Sequence, residues 1–313
     1  MISLDFELFW GMLDECPLED YQANVLGGRN AIPRLLELFA KYGIHATWAT
    51  VGFLFAENYE ELTAFFPDED VRPAYDNPKL DPYARLREIG RDEQTAPCFY
   101  GASLVRRVAE FPGQEIGSHT FCHYYCREKG QTIDQFAADL KAAKAIAAAK
   151  GFEVTSVILP RNQCEPAYTR ILADCGYTAY RDLEKDWIHR KIKPRILERA
   201  CILLDAYLPM TVGGYIPKKE NGVWNFTGSK MYRPIMKPLY FLERVKLMRI
   251  KGQMRHAAKH GLTYHLWWHP HNLGVRTEEH LAQLEELFRY YKELKEKYGM
   301  ESLNMREAAA RRD

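Results

Sequence analysis

Patterns typical of strands and of helices alternate along almost the whole of this 313-residue chain. The first predicted strand spans residues 2–10, an apolar helical stripe over 30–42 ends at Gly43, and a second strand follows at 44–55. Later patterns predict a short strand ending near residue 117, helices over 132–150, 167–175, 240–260 and 277–298, and strands over 154–159, 177–180, 201–208 and 262–268. Because no glycine-rich phosphate loop follows a strand, this α/β order predicts a barrel built on a parallel sheet rather than a dinucleotide-binding fold.

The chain shows no fixed-period repeat and no Gly/Ser-rich linker. We therefore predict a single domain over residues 1–313, with inserted loops at about 57–110, 181–200 and 211–238. The first loop is rich in Pro, Asp and Tyr with weak periodicity, and the last contains Gly213-Gly214 and several prolines.

Charge and cysteine content narrow the classes of partner. The net charge of +1 gives no reason to expect nucleic acid binding. The seven cysteines include no C-x-x-C pair, which favours free thiols in a reducing compartment. The chain starts without a secretory pattern and has no run of about 18 apolar residues, so we expect a cytoplasmic protein with no transmembrane segment. A homo-oligomer is compatible with the sequence.

Two acids occur close together in the first predicted strand. Asp5 and Glu7 are two residues apart, so their side chains point to one face while Leu4 and Phe6 point to the other. At the mouth of a barrel, one carboxylate of such a pair could bind a cation while the other acts as a base. Solvated acids at an exposed strand end are the alternative.

A second polar group follows the glycine turn at Gly117. His119 and His123 have the spacing H-x-x-x-H, which on a helical turn lets both imidazoles reach one cation. The strand end before them is where barrel active sites collect. A pair of partly buried structural histidines is the alternative.

Three further histidines and an arginine lie at other strand ends. His265, His269 and His271 alternate around Trp267-Trp268, and one of these histidines could titrate near neutral pH as a proton donor. Arg161 closes another strand, where it could orient a carboxylate. An aromatic core strand and a surface arginine in a turn are equally consistent with these residues.

Four segments, in this order, resemble the motifs of the polysaccharide deacetylases, the NodB-homology family of carbohydrate esterases: Ser3-Leu4-Asp5-Phe6-Glu7, Gly117-Ser118-His119-Thr120-Phe121-Cys122-His123, Leu159-Pro160-Arg161 and Leu266-Trp267-Trp268-His269. The resemblance covers most of the chain and implies a distorted (β/α)7 barrel. It also implies the following roles: Asp5 as base, Glu7, His119 and His123 as metal ligands, Arg161 as the partner of the base, and His269 as acid.

The chain also departs from the family pattern. The two acids of the first motif are separated by Phe6 instead of adjacent, and the fourth motif is matched only loosely, by residues 182–187. Trp187 is an expected wall of the substrate pocket, and Trp268 and His271 are the other expected substrate-binding residues.

The resemblance implies a metal-dependent hydrolase that removes an N-acyl group, with N-acetyl favoured, from an amino sugar or glycan precursor. Zinc is the favoured metal for two histidines and a carboxylate, with cobalt, nickel, manganese and iron as alternatives. Two other functions stay open: a metal-independent, allantoinase-like carbon–nitrogen hydrolase, and a catalytically silent barrel that binds glycans.

Overall fold

The computed structural model describes residues 1–183, 195–208 and 210–313. These residues form one nine-stranded sheet with the order β6-β7-β5-β4-β3-β2-β1-β9-β8, in which every pair is parallel except β6–β7. The strands are β1 Ile2–Phe6, β2 Ala46–Thr50, β3 Gln114–Ser118, β4 Ser156–Ile158, β5 Ala179–Arg181, β6 Lys218–Glu220, β7 Val223–Asn225, β8 Lys230–Met231 and β9 Leu266–Trp268.

One continuous segment connects the two ends of this sheet. The N–H groups of residues 224, 226 and 228 donate to the carbonyls of 178, 180 and 182, on the β5 side. A few residues later, the N–H groups of 230 and 232 donate to the carbonyls of 265 and 267, on the β9 side. The sheet therefore curls back on itself, which confirms the predicted barrel-type α/β fold.

Helices cover the outside of the sheet in the described part of the chain. They are α1 Leu18–Tyr42, α2 Tyr59–Thr63, α3 Pro82–Leu86, α4 Ala102–Ala109, α5 Ile133–Ala149, α6 Pro166–Thr169, α7 Arg195–Asp205, α8 Glu243–His260, α9 Thr277–Tyr298 and α10 Met305–Ala310. Phe39 of α1 contacts the rings of Trp48, Trp268 and Phe288, so the main core lies between the sheet and the helices. None of the described helices is long and apolar enough to cross a bilayer.

The structure corrects two features predicted from the sequence. Residues 201–205 end helix α7, so the strand predicted at 201–208 is wrong: its apolar run follows a helical period. The loop predicted at 211–238 contains the short strands β6, β7 and β8. The insertion predicted at 57–110 contains helices α2, α3 and α4, which fits a partly helical insertion. The apolar residues Leu104, Val105 and Val108 of amphipathic α4 are buried.

Candidate active site and metal centre

Asp5 and Glu7 lie at the carboxyl end of β1, where both side chains are buried. Their carboxylates face polar groups from neighbouring strand ends, whereas Phe6 between them packs against Trp48 on the opposite face at a ring distance of 5.9 Å. Alternation along the strand therefore brings the two acids together, as the spacing predicted.

The segment that carries His119 and His123 is not helical. Thr120 and His123 have positive φ angles of 66° and 61°, so the expected helical turn is wrong and the chain instead makes an irregular loop after β3. Buried Asp139 of α5 holds this loop, because its carboxylate accepts the N–H groups of Phe121 (2.7 Å) and Cys122 (3.1 Å). The two backbone bonds fix the conformation that places both imidazoles.

Replacing Asp139 with asparagine should loosen this loop. Burial raises the pKa of Asp139 to about 6, so the side chain is mostly a carboxylate at neutral pH and accepts both N–H groups. The asparagine amide keeps one acceptor and turns a donor towards the second N–H. We expect unfolding in urea to be easier by about 1–3 kcal/mol. The matched variant Asp134→Asn, at an exposed position of the same helix, should change stability by less than about 0.5 kcal/mol; equal effects of the two variants would contradict this role of Asp139.

Glu7, His119 and His123 form a buried cluster of possible metal ligands whose ligand atoms lie within 4.8 Å of one another. Glu7 Oε2 is 2.9 Å from His123 Nε2 and 3.2 Å from His119 Nε2. Burial raises the pKa of Glu7, but the nearby imidazoles of His269, His119 and His123 outweigh this effect, and the pKa lies well below its ordinary value. Burial lowers the pKa of His123. At neutral pH the cluster therefore holds a carboxylate beside a neutral imidazole.

The tautomer of His119 tests whether a cation fits this cluster. Its Nδ1 lies 2.8 Å from the carbonyl oxygen of Ile158, and since a carbonyl only accepts, Nδ1 carries the proton. In a neutral ring the lone pair is then on Nε2, which lies 3.2 Å from Glu7 Oε2. Within the described residues, this buried Nε2 has no hydrogen-bond partner. A lone pair aimed at a buried carboxylate is unfavourable unless a cation lies between them, so the donor set of two imidazoles and one carboxylate fits a divalent transition metal.

Asp5 is paired with Arg181, at the end of β5, and not with Arg161. The Arg181 guanidinium donates to both oxygens of Asp5, at 2.7 and 2.8 Å, and also to Ser3 Oγ and Asn162 Oδ1. Arg181 is fully buried and stacks on the Trp267 ring at 4.2 Å. Burial raises the pKa of Asp5, but the positive charge of Arg181 leads the opposing effects, and the net pKa is lowered.

Arg161 instead forms an ion pair with Asp14, lies 3.4 Å from Glu15 and stacks on Tyr125. The Arg161–Asp5 contact expected from the sequence is therefore wrong. Arg161 follows a strand end with a positive φ of 54°, which points its side chain towards the loop after β1. Arg181 also closes a predicted strand, so the same strand-end argument could have identified it.

His269, directly after β9, lies next to both acids. Its Nε2 is 3.6 Å from Asp5 Oδ2 and 3.7 Å from Glu7 Oε1, and its side chain keeps 21% of its surface exposed. Asn272 Oδ1 accepts the backbone N–H of His269 and also lies 3.3 Å from the ring Nδ1. These contacts with Asn272 hold the ring so that Nε2 faces the two carboxylates.

The other two histidines of this region are buried behind the site. His265 bridges Ser3 Oγ (2.8 Å) and the Phe226 carbonyl (3.1 Å), and burial lowers its pKa well below the ordinary value. His271 stacks on His269 at 4.9 Å and lies 3.1 Å from the Leu8 carbonyl, and burial lowers its pKa to about 4. His271 thus supports His269 from behind, and the expectation that it touches substrate is not met by its position.

Two tryptophans were predicted to bind substrate, and the structure describes the position of only one of them. Trp268 is fully buried between Phe39 and Tyr232, so its expected place in the substrate pocket is wrong: it points to the helical layer. Trp267 is the residue on the site's face, below Arg181 and edge-on to His269. Trp187 lies outside the described residues.

Several solved structures share this fold. A candidate polysaccharide deacetylase from Mycobacterium smegmatis superposes with a TM-score of 0.60 at 13% identity, over 99% of this chain and 89% of that chain. A similar protein from Pseudomonas aeruginosa PAO1 and the allantoinase Puue each give a TM-score of 0.53 at 14% identity, over 99% of this chain and 88% of theirs. No curated protein matches the sequence.

The sequence itself matches one family model. The description of that family is polysaccharide deacetylase, and the match covers residues 12–180, which is more than half of the chain and includes His119, His123 and Arg161. Asp5 and Glu7 lie before the matched region and His269 after it, so the fold brings them to the matched histidines. The protein therefore belongs to the polysaccharide deacetylase family and is a hydrolase of that class.

Proposed function

We propose that this protein removes an N-acyl group, in the first place N-acetyl, from an amino sugar or a glycan precursor. The observation that carries the proposal is that three groups meet at one end of the barrel. They are the Glu7–His119–His123 cluster, Asp5 in its ion pair with Arg181, and the partly exposed His269. Hydrolysis of an amide needs a proton acceptor for water, stabilisation of the oxyanion and a proton donor for the amine. The chain supplies a candidate for each of these needs.

Asp5 is the proposed base. Its lowered pKa keeps the carboxylate charged at neutral pH, and the two hydrogen bonds from Arg181 fix its orientation. A water molecule placed between Asp5 and His269 could give its proton to Oδ2 of Asp5, the oxygen that faces His269. Arg181 takes the place that the family resemblance gave to Arg161.

His269 is the proposed acid. The hydrogen bond to Asn272 orients the ring so that Nε2 faces the two carboxylates, and the exposed edge of the ring leaves room for a substrate amide. Stacking on His271, which burial keeps neutral, holds the ring plane without adding a second positive charge. Donation from Nε2 to the departing nitrogen would make the amine a better leaving group.

Glu7, His119 and His123 are the proposed metal ligands. A divalent metal bound there would polarise the amide carbonyl and make a water molecule more acidic. Two imidazoles and a carboxylate favour zinc, and cobalt, nickel, manganese and iron suit the same donors. The Ile158 carbonyl orients His119 in the way that ligating histidines commonly require.

The proposal also covers the cellular compartment in which the substrate is found. We place the protein in the cytoplasm, because all seven of its cysteines are free thiols, which a reducing compartment maintains. An N-acylated sugar precursor is then a more accessible substrate than a mature extracellular glycan.

Metal content tests the proposal directly. Wild type and His119→Ala, purified without chelator or histidine tag, would be analysed by elemental mass spectrometry. We expect about one equivalent of a transition metal in the wild type and less than about a tenth in the variant, because one of three ligands is lost. His260→Ala, at an exposed position of α8, is the matched control and should keep its metal.

Turnover completes this test. The metal-loaded wild type should release acetate from acetylated amino sugars, and His119→Ala should not. Wild type free of metal that hydrolyses allantoin would replace the proposal by the allantoinase-like function. Metal-loaded protein that binds glycans without releasing acetate would replace it by the silent barrel.

A further inference from the structure

Helices α7 and α8, with the short turn that leads into α8, leave large apolar side chains exposed on the outside of the barrel. Phe241 and Met248 have 75% and 63% of their surface exposed, and Leu197 of α7 has 54% exposed. We call the exposed apolar surface of this region the α7–α8 face, and it consists of Leu197, Leu204, Leu208, Tyr240, Phe241 and Met248. Large apolar side chains exposed together on the outside of a protein are typical of an interaction surface.

One buried ion pair and one hydrogen bond join the end of α7 to α8. Asp205, the last residue of α7, is bound by Arg249 of α8 at 3.1 Å and by Lys230 of β8. Arg249 Nε also donates to the carbonyl of Leu208 at 3.1 Å, which brings Leu208 beside the residue that follows Met248. Leu197 and Leu204 are seven residues apart and so share one side of α7.

The same part of the chain is strongly basic. Residues 195–251 contain eleven Lys and Arg against four Asp and Glu, a net charge of +7, although the whole chain has a net charge of +1. Lys237 and Arg244, on either side of Tyr240 and Phe241 in the sequence, are exposed and form no ion pair with any described residue. Arg244 lies on the exposed side of α8 between Phe241 and Met248. Exposed apolar and unpaired basic groups are therefore interleaved.

We propose that the α7–α8 face docks on the surface of an anionic lipid bilayer. Interfacial binding combines aromatic and aliphatic side chains inserted at the headgroup level with Lys and Arg that contact anionic lipids, which is the combination found here. A second copy of the chain is a worse occupant, because a symmetric contact would bring the exposed, unpaired Lys237 and Arg244 of both copies into one interface. Tyr240 and Phe241 follow the carboxyl end of β8, the end of the barrel where His269 lies, so docking would bring the site's mouth close to the lipid headgroups.

Vesicle flotation tests this proposal without any substrate. Wild-type protein would be mixed with vesicles of phosphatidylcholine alone or of phosphatidylcholine with an equal part of phosphatidylglycerol. We expect binding to the anionic vesicles only, weaker at about 0.5 M than at about 0.1 M NaCl because salt screens the headgroup charge. The double variants Leu204→Gln/Phe241→Gln and Lys237→Glu/Arg244→Glu should each bind at least about tenfold more weakly.

Matched double variants elsewhere on the surface control for general effects. Leu26→Gln/Ile133→Gln replaces apolar residues of 37% and 38% exposure, and Lys129→Glu/Arg170→Glu makes the same charge change at exposed positions. Both should bind like the wild type. Absence of binding to anionic vesicles, or equal loss in the matched controls, would overturn the proposal. A salt-resistant dimer in sedimentation that Leu204→Gln/Phe241→Gln abolishes would also overturn it and assign the face to a second copy.

Discussion

Replacing Asp5 with asparagine is expected to lower kcat for an N-acetylated amino sugar by about a hundredfold or more, because it removes the proton acceptor for the attacking water. The metal content should stay near that of the wild type, since Asp5 is not one of the three clustered ligands. Initial rates of acetate release and elemental analysis of the same preparation would measure both effects. Glu7→Gln should differ from Asp5→Asn in its metal content, because it should lose the metal as well as turnover.

The folded state of Asp5→Asn needs its own measurement. The introduced amide would offer Arg181 one oxygen instead of two, and a buried guanidinium that lacks its counter-charge destabilises the fold. Near-ultraviolet circular dichroism would show whether the tertiary packing persists. Asp14→Asn is the matched control, because Asp14 is also ion-paired to an arginine in this region but contacts neither Arg181 nor the clustered ligands in a hydrogen bond or ion pair of the described residues. Full activity of folded Asp5→Asn would disprove the role of Asp5 as base.

Much of the barrel could be predicted from local sequence patterns. The strands that these patterns did not predict have a common physical cause. Helix α9 and strands β1 and β3 carry clear periodicity and clear ends, and they occur close to where the sequence placed them. Residues 223–232 lack such a signal, because this short segment is held by its hydrogen bonds to β5 on one side and β9 on the other. Its strand structure depends on partners far away in the sequence, which a local pattern cannot contain.

Local sequence patterns predict the candidate site only in part, for the same reason. Side-chain alternation was enough to bring Asp5 and Glu7 together, and the resemblance named the two histidines that face Glu7. The choice between Trp267 and Trp268 required the register of β9 against β1, since one residue of shift exchanges the two faces. The choice between Arg161 and Arg181 was harder, because each follows a strand end and only the backbone at Arg161, with its positive φ, directs that side chain away from Asp5.

Replacing Arg181 with methionine should therefore reduce stability more than any other single arginine replacement at the site. Arg181 is fully buried and its ion-pair partner Asp5 is almost so, and removing one member of a buried pair costs about 3–5 kcal/mol because the other charge stays buried. Denaturation in urea at neutral pH would measure this loss. Turnover should fall as well, because Asp5 would lose both the orientation and the positive charge that keep it an effective base.

The pH dependence of the stability loss in Arg181→Met shows whether the Asp5–Arg181 ion pair causes it. Burial raises the pKa of Asp5, but Arg181 and the nearby histidines lower it below the ordinary value of 3.8. The pair's contribution to stability is then fully present above pH 3.8 and decreases as the pH falls through the lower, folded-state pKa. The difference in unfolding free energy between wild type and Arg181→Met should shrink as the pH falls from the raised pKa that Asp5 has without Arg181 to its lowered pKa in the wild type. A difference that does not change with pH would assign the effect to packing alone.

Arg161→Met is the variant that separates the two arginines. Its ion pair with Asp14 is partly exposed, so its loss should cost no more than about 1 kcal/mol, and Asp5 should keep its orientation and its low pKa. The acid limb of the activity profile should accordingly stay in place in Arg161→Met and move to higher pH in Arg181→Met, because a carboxylate without its counter-charge is protonated more easily. If Arg161→Met moved that limb and Arg181→Met did not, the base would be oriented by Arg161 in the working enzyme, as the strand-end motif first indicated.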